Sequence, residues 1–276
     1  MNQNTVRAHL SQALSHIDQR ERENIITYYL DARQKEILTS SLTTQELEKD
    51  AQDLKEGAPV QYVTGITFFY GHRFISERGC LIPRPETEEL VHWIIEDNKS
   101  KEEFQILDIG VGSGCILLSV LAELNKNSQA TGWGIDVSQT ALTVFEKNAV
   151  KMDLKVNSEL ADIREDLDLP KYFDCIVSNP PYILNSERGR MDSSVLKYEP
   201  EIALFVTGTD PLYFYKRIME IGLSLLKPAG VIYFETSDLY HNELDAAIDR
   251  NNYLPTFKKD MSGHWRMLKL TRILPS

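Results

Sequence analysis

Cysteine is scarce in this chain: Cys80, Cys115 and Cys175 are all it has among 276 residues. An odd, widely spaced set with no Cys-x-x-Cys excludes a disulfide framework and a zinc ribbon, and fits reduced, buried thiols. The 6 histidines form no His-x-x-x-His pair, so no metal is expected. No run of about 18 apolar residues exists, which excludes an ordinary membrane-spanning helix. Residues 1–12 lack both a basic and an apolar leader region, so no secretory signal is expected. Positive charge is in short supply as well. Lys and Arg number 30 against 41 Asp and Glu, and the net charge of −11 disfavours non-specific attraction to nucleic acid or acidic membranes. Internal repeats and low-complexity segments are missing too. These absences predict a cytoplasmic monomer without metal, membrane contact or direct nucleic-acid binding.

What remains is an ordinary globular composition, 42% hydrophobic and 26% charged. The length suits one α/β domain, alone or with a small appendage. Residues 1–62 read as helical. Val6, Leu10, Leu14 and Ile17 recur at helical spacing, as do Ile25, Tyr28, Tyr29 and Leu30. Thr43 to Glu46 has the spacing of a capping box and opens a third helix, which Gly57 and Pro59 close. A block this small is expected to dock on a neighbour or a partner, as a stabilising cap or as a recognition appendage. Residues 63–84 read as a β-hairpin connector, with Ile66–Tyr70 and Arg73–Ser76 flanking a turn at Gly71-His72.

From residue 85 to residue 276 strands and helices alternate, the pattern of a mostly parallel sheet covered on both faces. The expected strands are Phe104–Ile109, Trp133–Val137, Leu154–Leu160, Phe173–Ser178, Val231–Phe234, Thr256–Lys259 and Trp265–Ile273. A long helix, Asp210–Leu226, turns through Lys227-Pro-Ala-Gly230 into the fifth.

Four strand ends carry chemistry. Asp108, Gly110, Val111, Gly112, Ser113 and Gly114 join the first strand to its helix. The glycines let the backbone turn and approach a ligand closely. A dinucleotide site wants Gly-x-Gly-x-x-Gly, but here the third position is Cys115. Asp108 is awkward beside a pyrophosphate and suits an ammonium group, such as that of S-adenosylmethionine. Asp136 ends the second strand, 22 residues after Gly114, where an acidic residue takes ribose hydroxyls. Asp162 and Ile163 follow the third strand, a carboxylate for an adenine amine and an apolar cover for its ring. Asp136 could instead cap a helix, and Asp162 could sit in a solvated turn. After the fourth strand come Asn179, Pro180, Pro181 and Tyr182. The prolines have no N–H to give, so their carbonyls stay free as acceptors. With the Asn179 amide and the Tyr182 ring they suit a planar conjugated NH2 group. A strand followed by a Pro-rich turn is the plainer alternative.

This order of motifs resembles a class I S-adenosylmethionine-dependent methyltransferase, a Rossmann-like α/β fold with a mostly parallel seven-stranded sheet and here a small N-terminal helical domain. Within that superfamily the chain is similar to the protein-(glutamine-N5) methyltransferases of peptide chain release factors, the PrmC/HemK family. Pro59-Val-Gln-Tyr62 with Gly65, Phe69 to Phe74, Leu81 to Glu88, and Tyr198-Glu-Pro200 with Ala203-Leu204 extend the likeness from about residue 55 to the end. The resemblance implies S-adenosylmethionine on Asp108, Gly110 to Gly114, Asp136, Asp162, Ile163 and Asn179. It implies the substrate glutamine amide on Asn179, Pro180, Pro181 and Tyr182, with catalysis by Asn179, Pro180 and Tyr182. The implied partner is a class I release factor carrying a Gly-Gly-Gln motif. Charged residues follow Asp162 where the family has an aromatic one. Rival readings are a glutamine methyltransferase of a ribosomal protein, an adenine-N6 nucleic-acid methyltransferase, and a non-catalytic S-adenosylmethionine-binding protein.

Overall fold

The structure, a computed structural model, describes residues 1–169 and 172–273. Side-chain caps set the first helices. Asn2 accepts the Thr5 N–H at 2.9 Å ahead of α1 (Gln3–Ala13), and Asp18 accepts the Arg20 N–H at 2.9 Å ahead of α2 (Gln19–Ala32). A five-residue helix, α3 (Gln34–Leu38), follows, too short to leave a periodic signal. The capping box forms at α4 (Thr44–Lys55): Thr43 Oγ1 accepts the Glu46 N–H at 3.1 Å, and Glu46 accepts the Thr43 N–H at 2.8 Å. Another short helix, α5 (Val60–Thr64), leads out.

The apolar faces of these helices meet in a core of their own around Leu10, Leu14, Ile26, Tyr29, Leu47 and Leu54. Buried Asp50 crosslinks it, accepting from Tyr29 Oη at 2.7 Å and from Arg33 at 3.0 Å. The block also docks on the rest of the chain. Tyr28 Oη donates to the Ile66 carbonyl, Arg73 to the Ala32 carbonyl, and Tyr198 Oη to the Glu56 carbonyl.

The hairpin β1 (Ile66–Phe69) and β2 (His72–Ile75) turns one residue earlier than expected, at Tyr70-Gly71. Both turn residues have positive φ, 48° and 75°, the twist that two-residue hairpins favour. Tyr70 tolerates this because its N–H is fixed on Glu88 at 2.8 Å.

Next come α6 (Thr87–Asn98), β3 (Glu103–Ile109), α7 (Cys115–Leu124), β4 (Gln129–Asp136), α8 (Gln139–Lys151) and β5 (Val156–Leu160). After β6 (Phe173–Ser178) the chain makes two short helices, α9 (Ser193–Tyr198) and α10 (Glu201–Leu204). The long helix α11 (Tyr213–Leu225), β7 (Leu226–Glu235), α12 (His241–Ala247), β8 (Tyr253–Lys259) and β9 (Trp265–Arg272) complete it. Seven strands form one sheet in the order β5-β4-β3-β6-β7-β9-β8, with β9 antiparallel to both neighbours and the other pairings parallel. Phe104 and Ile106 pack under α6, α7 and α8, while Leu107 and Ile109 pack on the α11 and α12 side. Both faces are thereby covered, which is why the strands read as apolar runs.

Two expectations need correction. β4 starts four residues before Trp133, because Gly132 and Gly134 hide it: a Cβ on Gly132 would stand 2.7 Å from Leu121, and one on Gly134 2.6 Å from Phe145. Close helix packing demands glycine there, and glycine is a poor strand signal. The Lys227-to-Gly230 turn lies inside β7, not before it. Leu226 pairs with Phe173 and Val231 with Cys175, so residues 227–230 loop out, with Ala229 at φ 59°. No helix among the described residues is long and apolar enough to cross a membrane.

Candidate active site

The chain direction changes at β3, with β4 on one side and β6 on the other, and ligands of open α/β sheets bind at such a switch point. A cavity of about 460 Å³ opens there, in the range of small-molecule sites. Gly110, Val111, Gly112, Ser113, Asp136, Asp162, Ile163, Asn179, Pro180 and Pro181 all line it. Four separate stretches of sequence thus meet at one place. Asp108, Gly114 and Tyr182 are not on its wall.

The glycine loop is built by backbone geometry. Gly110, Gly112 and Gly114 have φ of 75°, 55° and 80°, a region that side chains disfavour. The N–H groups of Gly110 and Val111 both donate to the Ile135 carbonyl, tying the loop to β4. Gly114 is the tightest point, where a Cβ would meet Phe145 at 2.4 Å. A Cβ on Gly110 would meet nothing within 4 Å, leaving room for a ligand.

Asp136 holds that loop in shape. One oxygen accepts the Gly112 N–H at 2.9 Å and the other the Ser138 N–H at 2.8 Å. Burial raises its pKa, and these backbone donors oppose the rise. It does not cap α8; Ser138 does, accepting the Ala141 N–H at 3.3 Å.

Asp108 lies beneath the loop, 1% exposed, and among the described residues neither carboxylate oxygen has a hydrogen-bond partner. Burial pushes its pKa up to about 8; the Leu117 N–H, outside bonding geometry, opposes the rise, and the Asp136 charge adds to it. The Ser113 hydroxyl is buried and unpartnered as well. Orphaned polar groups of this kind ask for a compensating ligand. An acidic group beneath an open glycine loop fits a cationic, nucleoside-sized molecule.

Asp162 stands at the rim, its oxygens gripped by the Arg164 guanidinium at 2.9 Å and 2.5 Å. The Arg164 hydrogen bonds hold its carboxyl below the usual range. Ile163, buried beside it, presents an apolar wall.

Asn179 follows directly on β6, and Ser178 anchors that strand end by donating to the Ile109 carbonyl at 2.7 Å. Tyr182 is off the cavity wall, partly buried and packed against the core cluster to which α11 contributes. Burial raises its phenol pKa, and the charge of Glu235 adds to this.

Several wall residues were given no site role from the sequence, although most of them lie in motifs that carry the resemblance. Arg84 reaches the cavity from the end of the connector, Thr87 from the start of α6, Pro200 to Ala203 from α10 and its cap, and Phe214 from α11. Arg84 pairs with buried Glu199 at 2.7 Å, and Glu199 also accepts the Ile82 N–H at 3.3 Å. The stiff Leu81-to-Thr87 run was the available signal for the first group. Among the described residues no group of three or more His, Cys, Asp and Glu is placed to hold a metal.

Residues 100–271 match the methyltransferase domain family. The chain is 42% identical over 221 residues to a release factor glutamine methyltransferase of Flavobacterium psychrophilum, covering 79% of this chain and 76% of the relative. A release factor glutamine methyltransferase of Bacteroides thetaiotaomicron is 39% identical over 86% of this chain and 84% of its own. Among solved structures, a methyltransferase from Pyrococcus furiosus superposes with a TM-score of 0.54 at 16% identity, covering 73% of this chain and 89% of its own, a likeness of fold.

Proposed function

We propose that this chain, which belongs to the release factor glutamine methyltransferases, transfers a methyl group from S-adenosylmethionine to the N5 amide nitrogen of a glutamine in a class I peptide chain release factor. The observation that carries the reading is the meeting of Asn179, Pro180 and Pro181 with the glycine loop and Asp136 on one cavity wall. A glutamine in a Gly-Gly-Gln motif is the acceptor in this reading.

S-adenosylmethionine supplies an electrophilic methyl group on a sulfonium. The residues fit it. Gly110 and Gly112 bring the loop backbone to the cavity with no side chain of their own in the way, and Asp136 faces the cavity with a carboxylate able to accept from ribose hydroxyls. Asp108 places acidity under the loop for a cationic head, while Ile163 covers an adenine ring that Asp162 addresses at the rim.

A carboxamide nitrogen is a poor nucleophile because its lone pair is delocalised into the carbonyl. In our reading Asn179 Oδ1 and the Pro180 carbonyl accept its two N–H groups, which orients the NH2 and raises its electron density. Pro181 fixes the backbone that presents these acceptors. Tyr182 supports the motif from the core side. Orientation of this kind contributes about 7–11 kcal/mol in favourable intramolecular reactions. Residues 1–62 are assigned as the substrate-recognition block, since Tyr198 and Lys197, beside the cavity-lining α10, bond to the Glu56 carbonyl.

The test is transfer of labelled methyl to purified release factor, ribosomal protein and DNA in parallel. Label is expected on the release factor glutamine, located by mass spectrometry. Labelling of the ribosomal protein or DNA in its place overturns the substrate assignment.

A further inference from the structure

Glu235 ends β7 and is 4% exposed. A carboxylate in that position is costly unless it is compensated. Among the described residues no cation stands within ion-pair distance of it, and nearby Arg266 is paired with Asp260 at 3.1 Å. Instead its Oε2 accepts the Thr87 hydroxyl at 2.5 Å. In the sheet register Ser178 pairs with Phe234, which brings the next residues, Asn179 and Glu235, to the same level. Residues level on neighbouring parallel strands point to the same face. Thr87 and Asn179 both line the cavity, and Glu235 stands behind them. Burial raises the Glu235 carboxyl; the Thr87 hydroxyl, the Arg266 charge and the neighbouring Asn179 side chain, which lies outside bonding geometry, oppose the rise without cancelling it.

A carboxamide has two orientations, and one alone puts its oxygen toward the substrate. An ionised carboxylate can accept hydrogen bonds but has none to give. Placed behind Asn179, it tolerates the NH2 group and repels the oxygen. We propose that Glu235 is a positioning residue, which takes the Asn179 NH2 as donor and thereby turns Asn179 Oδ1 into the cavity to accept from the substrate amide. The inference rests on the glutamine-amide reading of the site. It explains a buried carboxyl that packing alone would not keep. The ionised state matters, because a protonated Glu235 gains a donor and loses the power to select one orientation. The groups facing it are Arg266 from β9, Glu86 and Thr87 at the start of α6, Tyr182 and Asn179 after β6, Tyr215 of α11, and Cys115 of α7.

The experiment is single-turnover methyl transfer to purified release factor at saturating S-adenosylmethionine, across pH, with cofactor affinity measured by calorimetry. Glu235→Gln keeps the shape but can donate or accept, so it no longer selects. Its rate is expected to fall about ten-fold or more, the scale seen when a group that orients a metal-ligating side chain is removed. Cofactor affinity is expected to stay within about two-fold, as for an interaction expressed in the transition state. Because the carboxyl is raised, the parent rate should fall on acidification as Glu235 protonates, and Glu235→Gln should lose that limb. Thr87→Val removes the hydroxyl that favours the ionised form, so it should move the limb to higher pH, and it carries the test if Glu235→Gln does not fold. An active parent, with a folded Glu235→Gln of equal rate and equal acid limb, overturns the proposal. So does Thr87→Val with an unmoved limb. A parent that binds cofactor yet leaves release factor unlabelled overturns the substrate reading and this inference with it.

Discussion

Replacing Asp136 with alanine separates two roles that one carboxylate combines. In the structure its oxygens accept the Gly112 N–H at 2.9 Å and the Ser138 N–H at 2.8 Å. Hydrogen bonds to a charged group contribute about 1.5–3 kcal/mol each. Gly112 and Ser138 are partly exposed, so water can replace part of the loss. A net cost of about 1.5–3 kcal/mol is expected, which is roughly ten- to hundred-fold in S-adenosylmethionine affinity. Calorimetric titration of a folded Asp136→Ala protein measures it. An analogue lacking the ribose hydroxyls then divides the effect. If Asp136 takes those hydroxyls, the analogue binds the parent weakly and Asp136→Ala almost as weakly. If Asp136 acts through the loop alone, the analogue loses the same factor in both proteins. Unchanged affinity for S-adenosylmethionine in the folded variant refutes the assignment outright.

Gly114→Ala should lower stability by about 3 kcal/mol in denaturant titration, since it combines a φ of 80° with a Cβ 2.4 Å from Phe145. Gly110→Ala meets nothing within 4 Å and should cost only about 1 kcal/mol in the free protein. Equal losses would contradict the packing argument. Asp50→Ala leaves Arg33 and Tyr29 without their shared acceptor and should destabilise the protein by about 3–5 kcal/mol by the same titration; a loss under about 1 kcal/mol counts against that crosslink. Asp108 has a folded pKa of about 8 against an ordinary value near 3.9, so the native state keeps a proton that the unfolded chain has released between those values. Its contribution is fully present below about pH 4 and is lost as pH rises toward about 8. Asp108→Asn should flatten that decline, and equal slopes in melting temperature against pH would dismiss it. Asn179→Asp should bind S-adenosylmethionine about as well as the parent yet transfer far more slowly, because an added negative charge attracts the sulfonium most before methyl transfer; a single-turnover rate equal to the parent's would reduce Asn179 to a turn residue.

The fold was legible where local chemistry and the final packing ask for the same residues. Thr43 and Glu46 specify a helix start by bonding to each other, and they do so wherever the helix then docks. Phe173 to Ser178 read as a strand because both of its faces are covered. Legibility failed where the requirement comes from a distant element. Gly132 and Gly134 are glycines because Leu117, Leu121 and Phe145 approach β4 closely, and nothing near them in sequence announces that. Tyr70 occupies a glycine-like conformation because Glu88, 18 residues later, holds its N–H.

The site divides along the same line. Gly110 to Gly114, Asp136 and Asn179 to Pro181 are each followed or preceded by a strand, so their place at the strand ends could be read from order alone. Asp108 was legible as an acidic residue on the incoming strand, but not as one that is buried and unpartnered under the loop. Arg84 and Glu199 stand 115 residues apart, and Thr87 and Glu235 148 apart, so their pairing depends on how the connector crosses the sheet. Glu235 is the clearest case. In sequence it is an acidic residue ending an apolar strand, as solvent-facing residues often do. The register that sets Ser178 beside Phe234 brings it level with Asn179, and the helix carrying Thr87 closes over it. A shift of one residue in that register would turn the carboxylate to the other face and leave the Asn179 amide free to flip. Its place against Asn179 is therefore fixed by strand pairing, which no local motif can encode.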